Sequence, residues 1–347
     1  MARGEHIGIT MGDPGGIGPE IALRAVEALA PRMRSGELAL TVIGTAATIE
    51  ECAGNLGCAI EITQDASAPW PRVAIAQASE QRAPVPVGEV AAESGRLAYE
   101  AVAHAVRLAM AGRIDAIATA PISKEALNLA GYRYAGHTDL LAALTASRDS
   151  CMMLAHGDLR VTHVSTHVAL ANVPKLVTRE RVARVIDLTL EALTDLGIAR
   201  PRIAVAALNP HAGEGGIFGD EDQRVNQPVV QDFRARGFDV VGPLPGDTIF
   251  VKAAAGQFDA VVAMFHDQGH IPVKLLGFRI DRGSQEWTAL SGVNVTLGLP
   301  IIRTSVDHGT AFDIAGRGAA SAQSMIEAID FAALLARHRR RRNRSTP

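Results

Sequence analysis

Short apolar runs alternate along the chain with longer segments in which apolar residues recur at helical spacing. The runs cover residues 6–11, 39–44, 115–120, 160–166, 202–208 and 259–265, and their lengths are typical of strands. Residues 93–112 and 179–197 have the pattern of helices. Strands that alternate with helices predict an α/β protein with a largely parallel sheet covered on both faces. Ligands of such sheets bind beyond the carboxyl ends of the strands, so the residues that follow each strand are the candidate binding residues.

Polar turns rich in glycine and histidine follow several of these strands. GDPGGIGPE (12–20) follows the first strand, but it is neither a Gly-Lys-Ser/Thr phosphate loop nor a G-x-G-x-x-G dinucleotide turn. A tight strand-to-helix turn and an anion-binding loop therefore both remain open. HDQGHIPVK (266–274) follows the last strand. Gly269 and Pro272 disfavour a helix there, so we predict a loop that begins at His266.

Three histidines each lie just past a predicted strand: His167, His211 and His266. Because the carboxyl ends of parallel strands meet at one edge, these imidazoles can converge there. Three neutral imidazoles with an open position suit a catalytic divalent cation such as Zn²⁺. The three residues are 44 and 55 positions apart, however, so no local motif joins them. Metal binding and separate structural roles both remain open from spacing alone.

Cationic side chains are also predicted in polar turns that follow apolar runs, at Lys124, Lys274 and Arg303. An arginine can hold an anion through two parallel hydrogen bonds, and a lysine supplies a point charge. Arg303 lies in GLPIIRTSVDHGTAFD (298–313), which also carries several hydroxyl and carboxylate groups. These residues are candidates for binding a phosphate or a carboxylate.

Composition narrows the class of protein. The 347 residues suffice for two ordinary α/β domains or one large one, and 48% hydrophobic content is typical of a globular chain. Aromatic residues make up 4% and the net charge is −3, which argue against a nucleic-acid partner. Three cysteines without a C-x-x-C pair indicate reduced thiols. The sequence shows no signal peptide and no membrane-spanning run, so we expect a cytoplasmic protein without a membrane partner.

Six segments, taken together and in order, resemble the 4-hydroxythreonine-4-phosphate dehydrogenase family (PdxA). They are GDPGGIGPE, APISKEALNLAG, GHTDLLA, NPHAGEGGIFGDE, HDQGHIPVK and GVNVTLGLPIIRTSVDHGTAFDIAG. The likeness runs from about residue 7 to about residue 330. HDQGHIPVKLLGF is more similar to the branch of the family that acts on 4-phospho-D-threonate or 4-phospho-D-erythronate.

The resemblance implies a fold and a set of partners. The expected fold has two α/β/α domains like those of isocitrate and isopropylmalate dehydrogenases, with a cleft between the domains. Residues 1–135 with 290–335 would form domain one, and residues 136–289 would form domain two with the dimer interface. Beyond the likeness, the basic run RHRRRRNR (337–344) itself predicts a solvated, disordered tail over residues 336–347. A homodimer with a shared active site is implied, together with NAD or NADP and a divalent metal (Zn²⁺, or else Mg²⁺, Co²⁺ or Mn²⁺).

The resemblance also implies roles for individual residues. His167, His211 and His266 would bind the metal, with one ligand supplied by the partner subunit. Lys274 or Asp247 would carry the proton in catalysis. Substrate contacts are implied at His137, Thr138, Asp247, Lys274, Asn294 and Arg303. No residues are assigned to the nicotinamide cofactor.

The implied reaction is oxidation of the C3 hydroxyl of a 4-phosphorylated four-carbon hydroxy acid, followed by decarboxylation. 4-Phosphohydroxy-L-threonine, a precursor in pyridoxine biosynthesis, is the first expected substrate. The phosphorylated threonate or erythronate and a cis-diol dicarboxylate are the alternatives within dehydrogenases. Acyl or phosphate transfer on a related fold is the alternative from another enzyme class.

Overall fold

The computed structural model describes residues 4–58, 60–63, 72–81, 85–283 and 287–345. The chain divides into two compact units. Unit 1 contains residues 1–148 and 299–347, and unit 2 contains residues 149–298. Because one segment of unit 1 precedes unit 2 and the other follows it, unit 1 is discontinuous in sequence.

The strands of the described residues are β1 (Glu5–Thr10), β2 (Leu38–Gly44), β3 (Glu61–Thr63), β4 (Arg72–Gln77), β5 (Ala116–Thr119), β6 (Cys151–His156), β7 (Leu159–His163), β8 (Arg202–Ala206), β9 (Asp239–Leu244), β10 (Ala260–Ala263), β11 (Phe278–Ile280), β12 (Trp287–Leu290), β13 (Val293–Leu297) and β14 (Arg303–Val306). The α-helices are α1 (Gly18–Ala28), α2 (Ala30–Arg34), α3 (Ala46–Leu56), α4 (Ala92–Met110), α5 (Lys124–Leu129), α6 (His137–Leu144), α7 (Val173–Leu176), α8 (Arg179–Asp195), α9 (Gln227–Ala235), α10 (Gly246–Ala254), α11 (His266–Gly277) and α12 (Gln323–Ser345). Within these residues, no helix is long and apolar enough to span a bilayer.

Unit 1 has a parallel sheet in the order β3-β4-β2-β1-β5-β14. β1 is buried at every position, and its polar residues Glu5 and His6 bond to Arg337 and Thr41. The apolar faces of α4 and α6 contribute Val102, Val106, Leu140 and Leu141 to one side of the core. The predicted α/β class with parallel strands is therefore confirmed in unit 1.

Unit 2 has the strand order β13-β6-β7-β10-β8-β9. β7, β10, β8 and β9 are parallel to one another, whereas β6 pairs antiparallel with both β7 and β13. β6 and β7 are joined by a tight turn with Gly157 at φ 55°, a connection that only antiparallel neighbours allow. β11 and β12 form a separate antiparallel pair.

The junctions between the units lie further along the chain than the predicted domain boundaries. The prediction placed them at 135/136 and 289/290, whereas the compact units meet at 148/149 and 298/299. α6 belongs to unit 1 because Leu140 and Leu141 pack into the core beside α4. β13 belongs to unit 2 because it pairs with β6 over Val293 to Leu297.

The C-terminal basic segment differs from the predicted disordered tail. α12 continues through residues 336–345, and residues 346 and 347 lie outside the described residues. Two of its arginines bind acidic groups near the start of the sheet. Arg337 Nη2 donates to Glu5 Oε2 at 3.0 Å, and Arg340 Nη2 donates to Asp115 Oδ2 at 2.8 Å. Ion pairing to the body of unit 1 thus orders a segment that charge alone marked as solvated.

The predicted loop at residues 266–274 was wrong, because α11 begins at His266 and includes Pro272. Gly269 does not break this helix. A Cβ at Gly269 would lie 2.3 Å from His163 Nε2 and 2.8 Å from Val161 Cγ1. The glycine is therefore required by the close approach of α11 to β7, and packing outweighs its low helix propensity.

Candidate active site in two polar clusters

A buried arginine organises the polar cluster of unit 1. Arg303 is the first residue of β14, not a turn residue as predicted, and it is 2% exposed. Its Nε and Nη2 donate to Thr119 Oγ1, at 3.1 and 2.7 Å, at the end of the neighbouring strand β5. Burial lowers the pKa of Arg303 to about 9. An anion at this position would relieve the cost of burying the guanidinium charge.

His137 and Thr138 lie at the start of α6, in the same unit. Gly136 is the N-cap of this helix and provides no side-chain cap, so the first backbone N–H groups lack a side-chain acceptor. The Nε2 atom of His137 is buried without a hydrogen-bond partner. Burial, and then the charge of Arg303, hold the pKa of His137 well below its usual range, so this imidazole is neutral. We call Thr119, His137, Thr138 and Arg303 the anion cluster.

The glycine-rich turn after β1 is shaped by close backbone packing. A Cβ at Gly16 would lie 2.8 Å from the carbonyl oxygen of Thr310, and one at Gly18 would lie 2.2 Å from that of Met11. These contacts explain why glycine is needed at both positions, and they favour the tight strand-to-helix turn. Asp13 is fully buried in this turn, and its Oδ1 accepts from Gly15 N at 2.9 Å. Burial raises the pKa of Asp13 to about 6, against the lowering effect of its backbone hydrogen bonds.

Four imidazoles lie together in unit 2, and we call them the imidazole cluster: His163, His167, His266 and His270. The ring centroids of His167 and His266 are 5.7 Å apart. His266 and His270 are one helical turn apart on α11, and their rings stack at 3.6 Å. The ring of His163 lies 4.7 Å from that of His270. Burial lowers the pKa of His163 to about 3 and that of His270 to about 4, so both are neutral.

Hydrogen bonds fix the tautomers of two of these rings. His266 Nδ1 lies 2.7 Å from Asp267 Oδ1, and a carboxylate only accepts, so Nδ1 carries the proton. His270 Nδ1 donates to the carbonyl oxygen of His266 at 2.9 Å. The Nε2 lone pair of His266 is therefore available to a ligand. A carboxylate on the other nitrogen is the arrangement that orients metal-binding histidines.

The geometry of His167 and His266 fits a shared cation. Zn–N bonds of about 2.0–2.1 Å at a tetrahedral centre place the centroids of two imidazoles about 5 Å apart. The observed 5.7 Å is compatible with that spacing, whereas the stacked ring of His270 at 3.6 Å is too close to share a tetrahedral ion with His266. No group of three or more His, Cys, Asp or Glu side chains in the described part of the chain is arranged to hold a metal.

His211 lies on a separate exposed loop of unit 2. Residues 211–215 all have positive φ, and His211 itself has φ 52°. Such a run is strained for non-glycine residues and requires support from outside the loop. The buried carboxylate of Asp222 holds the residues just before this run, where it accepts from the backbone N of Leu208 and of Asn209, both at 2.9 Å. The sequence analysis did not single out Asp222, although it lies in the same polar segment.

Of the remaining predicted residues in unit 2, Lys274 is two turns after His266 on α11. His266, His270 and Lys274 thus follow one another at four-residue spacing along one face. The Lys274 Nζ lies 5.0 Å from the ring centroid of Phe278. Asp247 is exposed in the first turn of α10. Asn294 lies within β13, and its Oδ1 is buried without a hydrogen-bond partner.

Gln268 is a second residue that the sequence analysis did not single out. Its Oε1 accepts from Met264 N at 2.7 Å, and its Nε2 donates to the carbonyl oxygen of Ala207 at 2.7 Å. The side chain therefore links the carboxyl ends of β10 and β8 and fixes where α11 begins. Only the prediction of a helix over residues 266–274 would have indicated Gln268.

Comparison with known proteins identifies the family. The sequence profile described as "Pyridoxal phosphate biosynthetic protein PdxA" matches residues 37–332. The chain belongs to the PdxA family. A Bradyrhizobium diazoefficiens protein, provisionally named D-threonate 4-phosphate dehydrogenase, is 58% identical over 95% of this chain and 96% of its own length. The 4-hydroxythreonine-4-phosphate dehydrogenase of Geobacter metallireducens is 48% identical over 96% of each.

A solved structure supports the same assignment. The crystal structure of 4-hydroxythreonine-4-phosphate dehydrogenase from Klebsiella pneumoniae matches with a TM-score of 0.82 and 41% identity, over 96% of this chain and 99% of that chain. The PdxA-family chain is therefore a dehydrogenase, and the predicted enzyme class is confirmed. The alternative of acyl or phosphate transfer is not supported. A dehydrogenase implies NAD(P) as its cofactor.

Proposed function

We propose that this PdxA-family enzyme oxidises the C3 hydroxyl of D-threonate 4-phosphate with NAD(P)⁺ and then releases CO₂ from the 3-oxo acid. The observation that supports a phosphorylated acid is the anion cluster, in which a buried guanidinium lies close enough to His137 to lower its pKa. The 58% identity to the Bradyrhizobium protein favours the threonate over other four-carbon acids. 4-Phosphohydroxy-L-threonine is the second candidate, favoured by the 48% identity to the Geobacter enzyme.

The imidazole cluster supplies the second requirement, a place for a divalent cation. His167 and His266 fit one cation. Among the described residues no third side chain joins them in one metal-binding group, so a second copy of the chain would contribute His211 as the third ligand. A divalent cation bound there would stabilise negative charge that develops on the substrate oxygen. Asp267 would keep the Nε2 lone pair of His266 directed at that position.

The residues of the chain would divide the remaining work. Arg303 and the first turn of α6 would orient the anionic part of the substrate. Asn294 would bind a substrate hydroxyl through its buried Oδ1. Lys274 and Asp247 are the two candidates for the group that removes the hydroxyl proton. Lys274→Gln and Asp247→Asn would separate them, since only loss of the proton acceptor should abolish the oxidation.

A homodimer fits the surface of unit 2. Ile271 and Leu275 on α11 are 63% and 78% exposed, and Ile217 beside the His211 loop is 75% exposed. Ile271 and Leu275 are one turn apart on the same face of α11, and neighbouring exposed apolar side chains of this kind mark protein–protein contacts more often than free surface. We infer that a second copy covers this surface and brings its own polar groups to the site.

The test is NAD(P)⁺ reduction by the Zn²⁺- or Mg²⁺-loaded protein on three acids offered side by side. They are D-threonate 4-phosphate, D-erythronate 4-phosphate and 4-phosphohydroxy-L-threonine. We expect the highest kcat/KM on D-threonate 4-phosphate, with dihydroxyacetone phosphate as the product. Turnover of 4-phosphohydroxy-L-threonine alone would contradict the proposal and favour the biosynthetic substrate. Silence on all three would redirect the search to cis-diol dicarboxylates.

A further inference from the structure

A lysine ammonium lies beside the start of α6, at the edge of the anion cluster. Lys124 is the first residue of α5 and is exposed. Its Cε would lie 3.9 Å from a Cβ built on Gly136, the N-cap of α6. The Nζ atom is about 1.5 Å further along the side chain. The ammonium is therefore within reach of a group bound at the first N–H groups of α6.

The fold of unit 1 does not use this charge. Lys124 Nζ forms no salt bridge or hydrogen bond with the residues that the structure describes. Local structure relies on its neighbours instead, since Ser123 Oγ caps α5 by accepting from Ala126 N at 3.1 Å. The backbone oxygen of Lys124 accepts from Asn128 Nδ2 at 2.8 Å, which any residue at this position would allow.

Two further observations near Lys124 indicate a ligand and not merely solvent. The N-terminus of α6, an eight-residue helix, has no side-chain cap. The next residue after its N-cap, His137, has a buried Nε2 atom without a hydrogen-bond partner. A buried polar atom of this kind normally has a partner, so its partner here is expected to be a bound molecule. An ammonium, free helix N–H groups and an imidazole together form an arrangement suited to a phosphate dianion.

We propose that Lys124 is a substrate-binding residue that holds the phosphate group of the substrate, together with the first turn of α6. The proposal rests on the proposed function for the identity of the phosphorylated acid. It adds a residue to those that the family resemblance assigns. A phosphate is favoured over a carboxylate because a dianion gains more from an ammonium combined with a helix N-terminus.

The test compares Lys124→Gln with Lys124→Arg, and uses Lys252→Gln as the matched control, because Lys252 is an exposed helical lysine in unit 2. We expect Lys124→Gln to raise the KM for the phosphorylated acid about 10- to 100-fold with a much smaller change in kcat, the pattern of a lost binding contact. The inhibition constant of inorganic phosphate should rise by a similar factor. Lys124→Arg should restore most of both, since arginine also binds phosphate.

D-Threonate without its phosphate separates the two anionic ends of the substrate. Its slow turnover should be unchanged in Lys124→Gln if Lys124 binds phosphate. An equal loss on both acids, with phosphate inhibition unchanged, would assign Lys124 to the carboxylate and overturn the proposal. Wild-type kinetics in Lys124→Gln would also overturn it.

Thermal protection by inorganic phosphate tests Lys124 without turnover. If no candidate acid is oxidised, phosphate should still raise the melting temperature of the wild type and of Lys252→Gln, but not that of Lys124→Gln. That result would keep the Lys124 site while rejecting the proposed substrate. Equal protection of all variants would reject the Lys124 site. Unchanged melting temperatures without phosphate confirm that the variants are folded.

Discussion

The two polar clusters differ in how completely the chain itself encloses them. Arg303 and Thr119 in unit 1 are buried and joined by hydrogen bonds, and both lie on neighbouring parallel strands. His167 and His211 in unit 2 are exposed and lie beyond strand ends. A buried charged group is retained by a fold only where it has partners. Under the proposed function, unit 1 would bind the anionic part of the substrate in a site that is already formed, whereas the histidines of unit 2 would need a cation and a second copy of the chain.

The largest expected effect in the comparison comes from Arg303→Lys. A lysine cannot donate two N–H groups to Thr119 and an anion in a fixed plane, and its compact charge is more costly to bury. We expect kcat/KM to fall by about 100-fold or more, which corresponds to roughly 3 kcal/mol. Steady-state kinetics on the best substrate measure it. Arg113→Lys on the exposed surface is the control, and an Arg303→Lys enzyme with wild-type kcat/KM would show that the cluster does not bind the substrate.

Asp13 makes the free energy of unfolding depend on pH, and the Asp13→Asn variant measures this dependence. Burial raises its pKa from 3.8 to about 6, so the folded state holds the proton more tightly than the unfolded state. The contribution to stability is complete below about pH 4 and is lost as pH rises through about 6, by an amount on the order of 3 kcal/mol. Asp13→Asn cannot titrate, so its stability relative to wild type should increase between these pH values. Urea unfolding at several pH values measures it.

The control for this pH experiment is Asp139→Asn, on the first turn of α6, where the carboxylate is exposed. It removes one exposed carboxylate, and its difference from wild type at each pH is the baseline for the Asp13→Asn difference. A constant difference between Asp13→Asn and wild type from pH 4 to 7 would mean that Asp13 ionises normally and that the turn after β1 is more polar than its burial indicates.

In unit 2, Asp267→Asn tests whether the Asp267 carboxylate orients His266 for metal binding. The carboxylate fixes the proton of His266 on Nδ1, and an amide can instead donate to that nitrogen and favour the wrong tautomer. We expect Zn²⁺ affinity to fall about 10- to 100-fold, as measured by competition with a chelating dye. Asp232→Asn, an exposed site on α9, should bind Zn²⁺ as the wild type does. Unchanged affinity in Asp267→Asn would argue that His266 is not a ligand.

The smallest effect is expected for Gly269→Ala, which tests the packing of α11 on β7. The added methyl group would lie 2.3 Å from His163 Nε2, so the helix or the imidazole must shift. We expect a loss of about 1–3 kcal/mol in the free energy of unfolding. Gly54→Ala on α3 has nothing within 4 Å and should be neutral or stabilising by up to about 1 kcal/mol. Equal stability of the two variants would contradict the close approach.

Sequence patterns located six of the fourteen described strands, and all six lie inside the strand order of their unit. β1, β2, β5, β7, β8 and β10 each overlap a predicted run, and α4 and α8 match their predicted ranges within two residues. The other eight strands were not predicted, and β3, β11 and β12 have only three or four residues, too few for a periodic signal. The helix at His266 was missed because Gly269 and Pro272 were weighed by propensity, whereas contact with His163 decided the outcome.

Sequence motifs predicted the main residues of the candidate site but not the residues that support them. Motif position selected Arg303 and His137, and the structure places both in unit 1 with Arg303 close enough to influence the pKa of His137. Supporting residues such as Asp222 and Gln268 were not predictable. Their hydrogen bonds join the ends of different strands, and such long-range partners leave no periodic signal in the sequence.

The central claim is that three histidines of this dehydrogenase hold one catalytic divalent cation. The most direct measurement is the metal content and turnover of His211→Ala beside the wild type and His104→Ala, a half-buried histidine on α4. The account predicts about one metal ion per chain in the wild type and in His104→Ala, and loss of both metal and NAD(P)⁺ reduction in His211→Ala. Retained metal stoichiometry with a normal rate in His211→Ala would contradict it.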